Sequence, residues 1–256
     1  MKKYISLLFV ASLLSCQKVI DLDLDSTSSR LVIQGNIYDQ EGPYKVKLSR
    51  SVDFDELSIY PAVSNATVII SDDHGNADTL SESDAGIYET SKIKGIPGYK
   101  YDLAVTVDGI TYIATSTMPD AISIDSIYTE DVIFGDGTQV GVKFKDPANV
   151  SNYYRLIQFI NNRQTENFHV ISDDLYDGKN IEYSLMTMDD DDELETGDMV
   201  AVGLECVDKG VYDYFRTAGS DGNQSASPSN PISNISNGAL GYFNACTYRV
   251  SSIKIP

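Results

Sequence analysis

The sequence predicts an all-β protein built from two β-sandwich units with one short helix. Three observations carry that prediction. Apolar and polar residues alternate with period two through most of the chain, as in LVIQGNIYD from Leu31 and YKYDLAVTV from Tyr99. Turn-forming Gly, Asn, Asp and Pro clusters recur about every 8 to 12 residues. A single stretch, Val211, Tyr214 and Phe215, has the i, i+3, i+4 spacing of a helix face.

The chain opens with Lys2-Lys3, an apolar run from Ile5 to Leu14, and Leu13-Leu14-Ser15-Cys16. That is the pattern of a lipoprotein signal peptide over residues 1–16: a basic start, an apolar core too short to span a bilayer, and a small residue before the cleavage point. Cys16 is the lipidation candidate, because only a thiol can be alkylated by diacylglycerol and then become the new N-terminus. Residues 17–29 read as a tether in which Val19, Ile20, Leu22 and Leu24 intersperse with Asp21, Asp23 and Asp25.

The first unit is placed at residues 30–119. LVIQGNIYD and YKVKLSRSVD flank Gln40-Glu41-Gly42-Pro43 as a hairpin. ATVIISDD turns at Asp72-Asp73-His74-Gly75-Asn76. Asp84-Ala85-Gly86, Gly95-Ile96-Pro97-Gly98 and Asp108-Gly109 mark the following turns. Met118-Pro119 closes the unit. The second unit, residues 120–256, carries strands at SIDSIYTEDVIF, TQVGVKFKDP, NYYRLIQFIN, ENFHVISD and GDMVAVGLECVD. The helix follows, with Gly219 in place to end it. A polar Ser/Asn/Pro loop leads back to a strand near the C-terminus.

Charge narrows the function classes. The chain has 19 Lys and Arg against 38 Asp and Glu, a formal net charge of −19. Loss of Lys2 and Lys3 with the signal would make the mature protein more acidic still. Nucleic-acid phosphates and anionic membrane surfaces require basic clusters, so neither is an expected partner of the folded body. The expected membrane contact is the lipid on Cys16. No cofactor motif is present, and with two histidines and three cysteines a zinc site is not expected. In an oxidising compartment a disulfide between Cys206 and Cys246 is chemically allowed; the alternative is two small buried apolar side chains.

The acidic run from Asp189 to Glu193, with Glu195 and Asp198, offers hard oxygen ligands, but its spacing is not that of a calcium loop and it reads as solvated. Asp72 to Asn76 reads first as a hairpin turn. His74 and His169 have no neighbouring nucleophile motif, and no G-x-S-x-G elbow occurs, so no catalytic residue is assigned and an enzyme is not expected. The 17 Tyr and 8 Phe, with no Trp, are expected mainly in the core. Five loops, 53–64, 161–168, 172–180, 186–198 and 219–237, are the places to look for a site.

Several stretches together resemble a known family. They are KVIDLDLD, LVIQGNIYDQEGPYKVKLSRS, the run from Asn65-Ala66-Thr67 through DDHGNADTLSESDAGIYET, GIPGYKYDLAVTVDGITYIATSTMP, then NYYR, GDMVAV, VYDYF and GALGYF. The chain resembles the Bacteroidetes outer-membrane lipoproteins grouped as domain of unknown function 4249 (DUF4249). The first unit resembles an immunoglobulin-like, transthyretin-like (carboxypeptidase regulatory) sandwich, and the second a fibronectin type III sandwich. The resemblance implies a lipid-anchored accessory or binding protein that partners a TonB-dependent receptor; the alternatives are a structural or assembly component of an outer-membrane complex and a surface hydrolase. The acidic residues from Asp21 are similar to the surface-export signals of such lipoproteins but begin later than usual, so the expected site is the outer membrane, at the cell surface or on its periplasmic face, and Asp-Ser/Thr-apolar tripeptides give O-glycosylation candidates at Ser26, Thr79 and Ser126.

Overall fold

The computed structural model describes residues 29–52, 60–132, 137–186, 193–220 and 230–256. The strands are β1 (Leu31–Tyr38), β2 (Lys45–Arg50), β3 (Thr67–Asp72), β4 (Ala77–Thr79), β5 (Ser81–Asp84), β6 (Ile87–Glu89), β7 (Lys100–Val107) and β8 (Ile110–Thr117). They continue with β9 (Ile124–Asp131), β10 (Thr138–Lys145), β11 (Tyr153–Ile160), β12 (Arg163–Gln164), β13 (His169–Ser172), β14 (Asn180–Leu185), β15 (Met199–Val207) and β16 (Leu240–Lys254). Among the described residues there is one α-helix, α1 (Lys209–Ser220), which precedes the last strand. The all-β prediction with one short helix holds.

A single nine-stranded sheet runs the length of the molecule in the order β12-β11-β15-β16-β1-β2-β6-β5, with β13 also paired to β11. Its centre is β16, fifteen residues long. The first half of β16 pairs in parallel with β1, from Val32↔Leu240 to Tyr38↔Cys246. The second half pairs antiparallel with β15, from Cys206↔Thr247 to Met199↔Lys254. Where a neighbouring strand runs out, side chains complete the ladder. Asn234 accepts from Phe243 N at 3.0 Å and donates to its carbonyl at 2.8 Å. Asp39 and Gln40 do the same for Tyr248. Main-chain groups that lose a strand partner must find another, and these amides and carboxylates supply it.

Two smaller sheets lie on one face of this long sheet. The four-stranded sheet β4-β3-β7-β8 closes the first core, where Ile33, Ile37 and Leu48 meet Val68, Ile70, Leu103 and Val105. The three-stranded sheet β14-β10-β9 closes the second, where Tyr154, Leu156, Val202 and Leu204 meet Val140, Val142 and Phe144. Strand parity explains the division. In β1 the odd residues are buried and the even ones half-buried, because successive side chains point to opposite faces. The first core also takes Ile235, Ala239, Phe243 and Ala245 from near the C-terminus.

The opposite face of the long sheet carries α1. Asp208 caps the helix by accepting Val211 N at 3.0 Å, and its other oxygen accepts Thr117 N at 3.1 Å, which ties the helix start to β8. Val211 and Phe215 pack with Val207 and Cys246 in a third, small apolar cluster. Gly219 does not end the helix as its position suggested. The helix continues through Ser220, and Gly219 lies against Phe168 without a left-handed backbone. Glycine is needed instead at Gly203 and Gly241. The Tyr248 ring lies where a Cβ on Gly203 would stand, and Gly241 has φ +95° with the Ile33 carbonyl against it.

Candidate functional site

The structure separates Cys206 from Cys246. Cys206 is opposite Thr247, so the two share a face, and Cys246 on the next position points the other way. Cys206 joins the second core and Cys246 the cluster beneath α1. Both thiols are free and buried, and the disulfide that the sequence allowed is not formed. Burial raises the pKa of each, which holds them in the unreactive thiol form.

The sequence candidates for metal or acid–base chemistry are accounted for individually. Asp72 accepts the backbone N–H groups of His74 and Asn76 and the Asn76 amide, so 72–76 is a hairpin turn stabilised by its own first residue. His74 is exposed, held by Asp73 at 2.9 Å and stacked on Tyr99 at 3.7 Å between centroids. His169 is buried against Tyr183, and burial pushes its pKa down to about 4. Thr79 and Ser126 are exposed on β4 and β9. Cys16, Ser26, the Asp189–Asp192 part of the acidic run, and the loop segments 53–59, 187–192 and 221–229 lie outside the described residues.

Sequence reasoning missed a different acidic group. Asp146, Asp173 and Asp177 bring one oxygen each within 4.8 Å of one another. Among the described residues this is the one carboxylate group close enough to share a cation. Each member is already held by donors. Asp146 accepts Gly178 N at 2.9 Å and the Tyr154 hydroxyl, Asp173 accepts Asn152 N at 2.8 Å, and Asp177 accepts Asn149 N at 2.6 Å. Together they join loop 146–152 to the 173–178 turn.

The back of the long sheet, on the α1 side, holds the densest polar and aromatic chemistry. Arg155 on β11 donates to Glu205 on β15 at 3.0 Å, and its guanidinium lies 3.8 Å from the centre of the Phe215 ring. Glu205 and Asn244 are fully buried. Burial raises the Glu205 carboxyl above its ordinary pKa, against the opposing pull of Arg155. Tyr214 packs on Tyr242 and Phe215 at centroid distances of 5.0 and 5.1 Å. The Arg155–Glu205 pair therefore seats Phe215, and Phe215 sets the position of the Tyr214 ring.

Beside Tyr214 a cavity of about 410 Å³ opens on the back face. Gln34 of β1 and Lys47 and Ser49 of β2 form its floor, and Tyr214, Tyr60 and Asn230 its sides. Two further cavities lie at the end of the first core, sharing Lys92, Ile93 and Lys94. One, of about 560 Å³, runs beside Asp39–Tyr44; the other, of about 410 Å³, runs beside Asp72–Ala77. Asp78 fixes the strap between them by accepting the N–H groups of Ser91, Lys92 and Ile93 at 2.6, 2.6 and 3.2 Å.

Residues 17–252 match the family described as Domain of unknown function (DUF4249). The chain belongs to the DUF4249 family. No curated protein matches it. Among the described residues, no helix is long and apolar enough to cross a membrane.

Proposed function

We propose that this DUF4249 protein is a lipid-anchored, non-enzymatic accessory protein of the outer membrane that acts beside a TonB-dependent receptor. One observation carries the reading: the family match begins at residue 17, the position directly after Cys16. The family match thus starts one residue after the N-terminus that a chain lipidated on Cys16 would have. Two or more acyl chains make such an anchor stable. The halves of the body would serve as transthyretin-like and fibronectin type III-like scaffolds presenting loops and cavities to a partner, with the exposed Thr79 and Ser126, and Ser26, as O-glycosylation acceptors at the cell surface.

The state of the reactive groups supports a role without catalysis. Nucleophilic catalysis needs a base held beside a reactive oxygen or sulfur. His74 faces Asp73 and Tyr99, His169 faces the core, and both described thiols are sealed from solvent.

The test is capture of the full-length protein from detergent-solubilised outer membrane through a C-terminal tag. The expected result is co-purification of a TonB-dependent receptor, lost when Cys16→Ala releases the protein from the membrane. Recovery of the anchored protein with no receptor would overturn the partnership. Recovery within a large assembly lacking a receptor would establish the structural role instead.

A further inference from the structure

We propose that the back-face cavity beside Tyr214 binds an acidic saccharide, one or two sugar rings carrying a carboxylate that pairs with Lys47. The cavity's volume, about 410 Å³, is within the range of small-ligand sites. Its chemistry sets it apart from its surroundings. The chain has twice as many acidic as basic side chains, yet among the described residues no aspartate or glutamate lines this cavity. The other two cavities contain Asp39, Glu41 and Glu89, or Asp72.

Lys47 is the one charged residue among the described lining residues and is exposed. Two positions earlier on the same face, Lys45 is neutralised by Glu89 at 3.2 Å. Lys47 has no such partner among the described residues. The same holds for the other polar groups: the side chains of Gln34, Ser49, Tyr60, Tyr214 and Asn230 make no hydrogen bond to another described residue. Six polar side chains thus converge on one space with their donors and acceptors free. An amide, hydroxyls and aromatic faces are the groups that read a sugar, because each ring offers hydroxyls at its rim and an apolar C–H face for stacking.

The backbone argues for a sugar over a peptide. The floor is the face of a sheet, not its edge. β1 is paired on both sides by β2 and β16, and β2 on both sides by β1 and β6. A peptide that binds by strand addition needs free main-chain groups, whereas a saccharide uses side chains alone. The Tyr214 ring is also held in advance by Tyr242 and Phe215, so little ordering is left for binding to impose.

The experiment is calorimetric titration of the full-length lipoprotein in detergent with a panel of uronic-acid disaccharides, the matching neutral disaccharides, and a blocked dipeptide bearing one carboxylate. At least one uronic-acid disaccharide should bind tenfold or more tighter than its neutral counterpart. That preference should shrink with added salt and vanish in Lys47→Gln. Tyr214→Ala should weaken both sugars at least tenfold, while Lys45→Gln and Lys92→Gln leave binding unchanged. Circular dichroism of each variant confirms that the fold is kept. Failure of every uronic-acid disaccharide to bind, binding unaffected by Lys47→Gln and Tyr214→Ala, or tighter binding of the dipeptide would each overturn the proposal. The receptor capture described above is scored separately, so loss of either result leaves the other standing.

Discussion

Replacing Arg155 with Met should be among the most damaging single changes on the back of the long sheet. Glu205 is fully buried, and Arg155 is its one cationic partner, at 3.0 Å. Removing the guanidinium leaves a carboxylate with one oxygen already unpartnered and only neutral donors beside it, the Asn244 amide at 3.5 Å and the Cys246 thiol. Breaking a buried pair from one side costs about 3–5 kcal/mol. The lost contact with the Phe215 ring adds roughly 1 kcal/mol. The double variant Arg155→Met, Glu205→Leu removes both charges and should return to within about 2 kcal/mol of the parent, since paired buried charges barely outperform well-packed apolar groups.

The loss in the single variant should also depend on pH. The folded-state pKa of Glu205 is already raised by burial, and losing Arg155 raises it further. A raised carboxyl binds a proton in the folded state that the unfolded chain does not, so stability falls as pH rises from the ordinary carboxylate value through the folded one. Urea unfolding followed by circular dichroism should therefore show a smaller deficit at pH 5 than at pH 8. A deficit below about 1 kcal/mol, or one equal at both pH values, would refute the reasoning that the pair holds a buried charge.

Four other outcomes are expected. Asp78→Ala should destabilise the protein by about 2–3 kcal/mol in urea titrations, because three backbone N–H groups lose a charged acceptor. Burial alone would raise the Asp78 carboxyl, but those hydrogen bonds lower it, so the parent's advantage over Asp78→Ala should be present above the ordinary carboxylate pKa and fade as pH falls below it. His169, depressed to about 4 by burial, should make the parent lose up to about 3 kcal/mol as pH drops from 6.5 to 4, a slope that His169→Leu flattens. Thiol titration should find Cys206 and Cys246 unreactive when folded and both reactive after denaturation, even following exposure to oxidant. Cys16→Ala should move the protein from membrane to soluble fractions.

Much of the fold is legible in short stretches of sequence. Period-two alternation places Tyr153 and Tyr154 on opposite faces, and they are so: Tyr154 is buried against Phe144, and Tyr153 meets Tyr212 of α1. Asp108-Gly109 announces its hairpin, and both residues adopt positive φ. What is hidden is everything set by distant pairing. The parallel register of β1 with β16 joins residues about 208 positions apart, and no local pattern in either strand names the other. Smaller separations, 50 positions for Arg155 and Glu205 and about 30 for Asp146 with Asp173 and Asp177, conceal those groupings as well. The cavity was half legible. The polar loops 53–64 and 219–237 stand out in the sequence and supply Tyr60 and Asn230, but Gln34 and Lys47 look like ordinary solvent-facing strand residues until the sheet is assembled.

β16 ties the end of the chain to its beginning. A ribosome or a translocation pore releases a polypeptide from its N-terminus, and here the first core stays open until Phe243 and Ala245 emerge. Both cores border β16, so neither is fully packed without that strand. The same dependence makes the last fifteen or so residues a poor place to truncate, because cutting them would undo both halves at once.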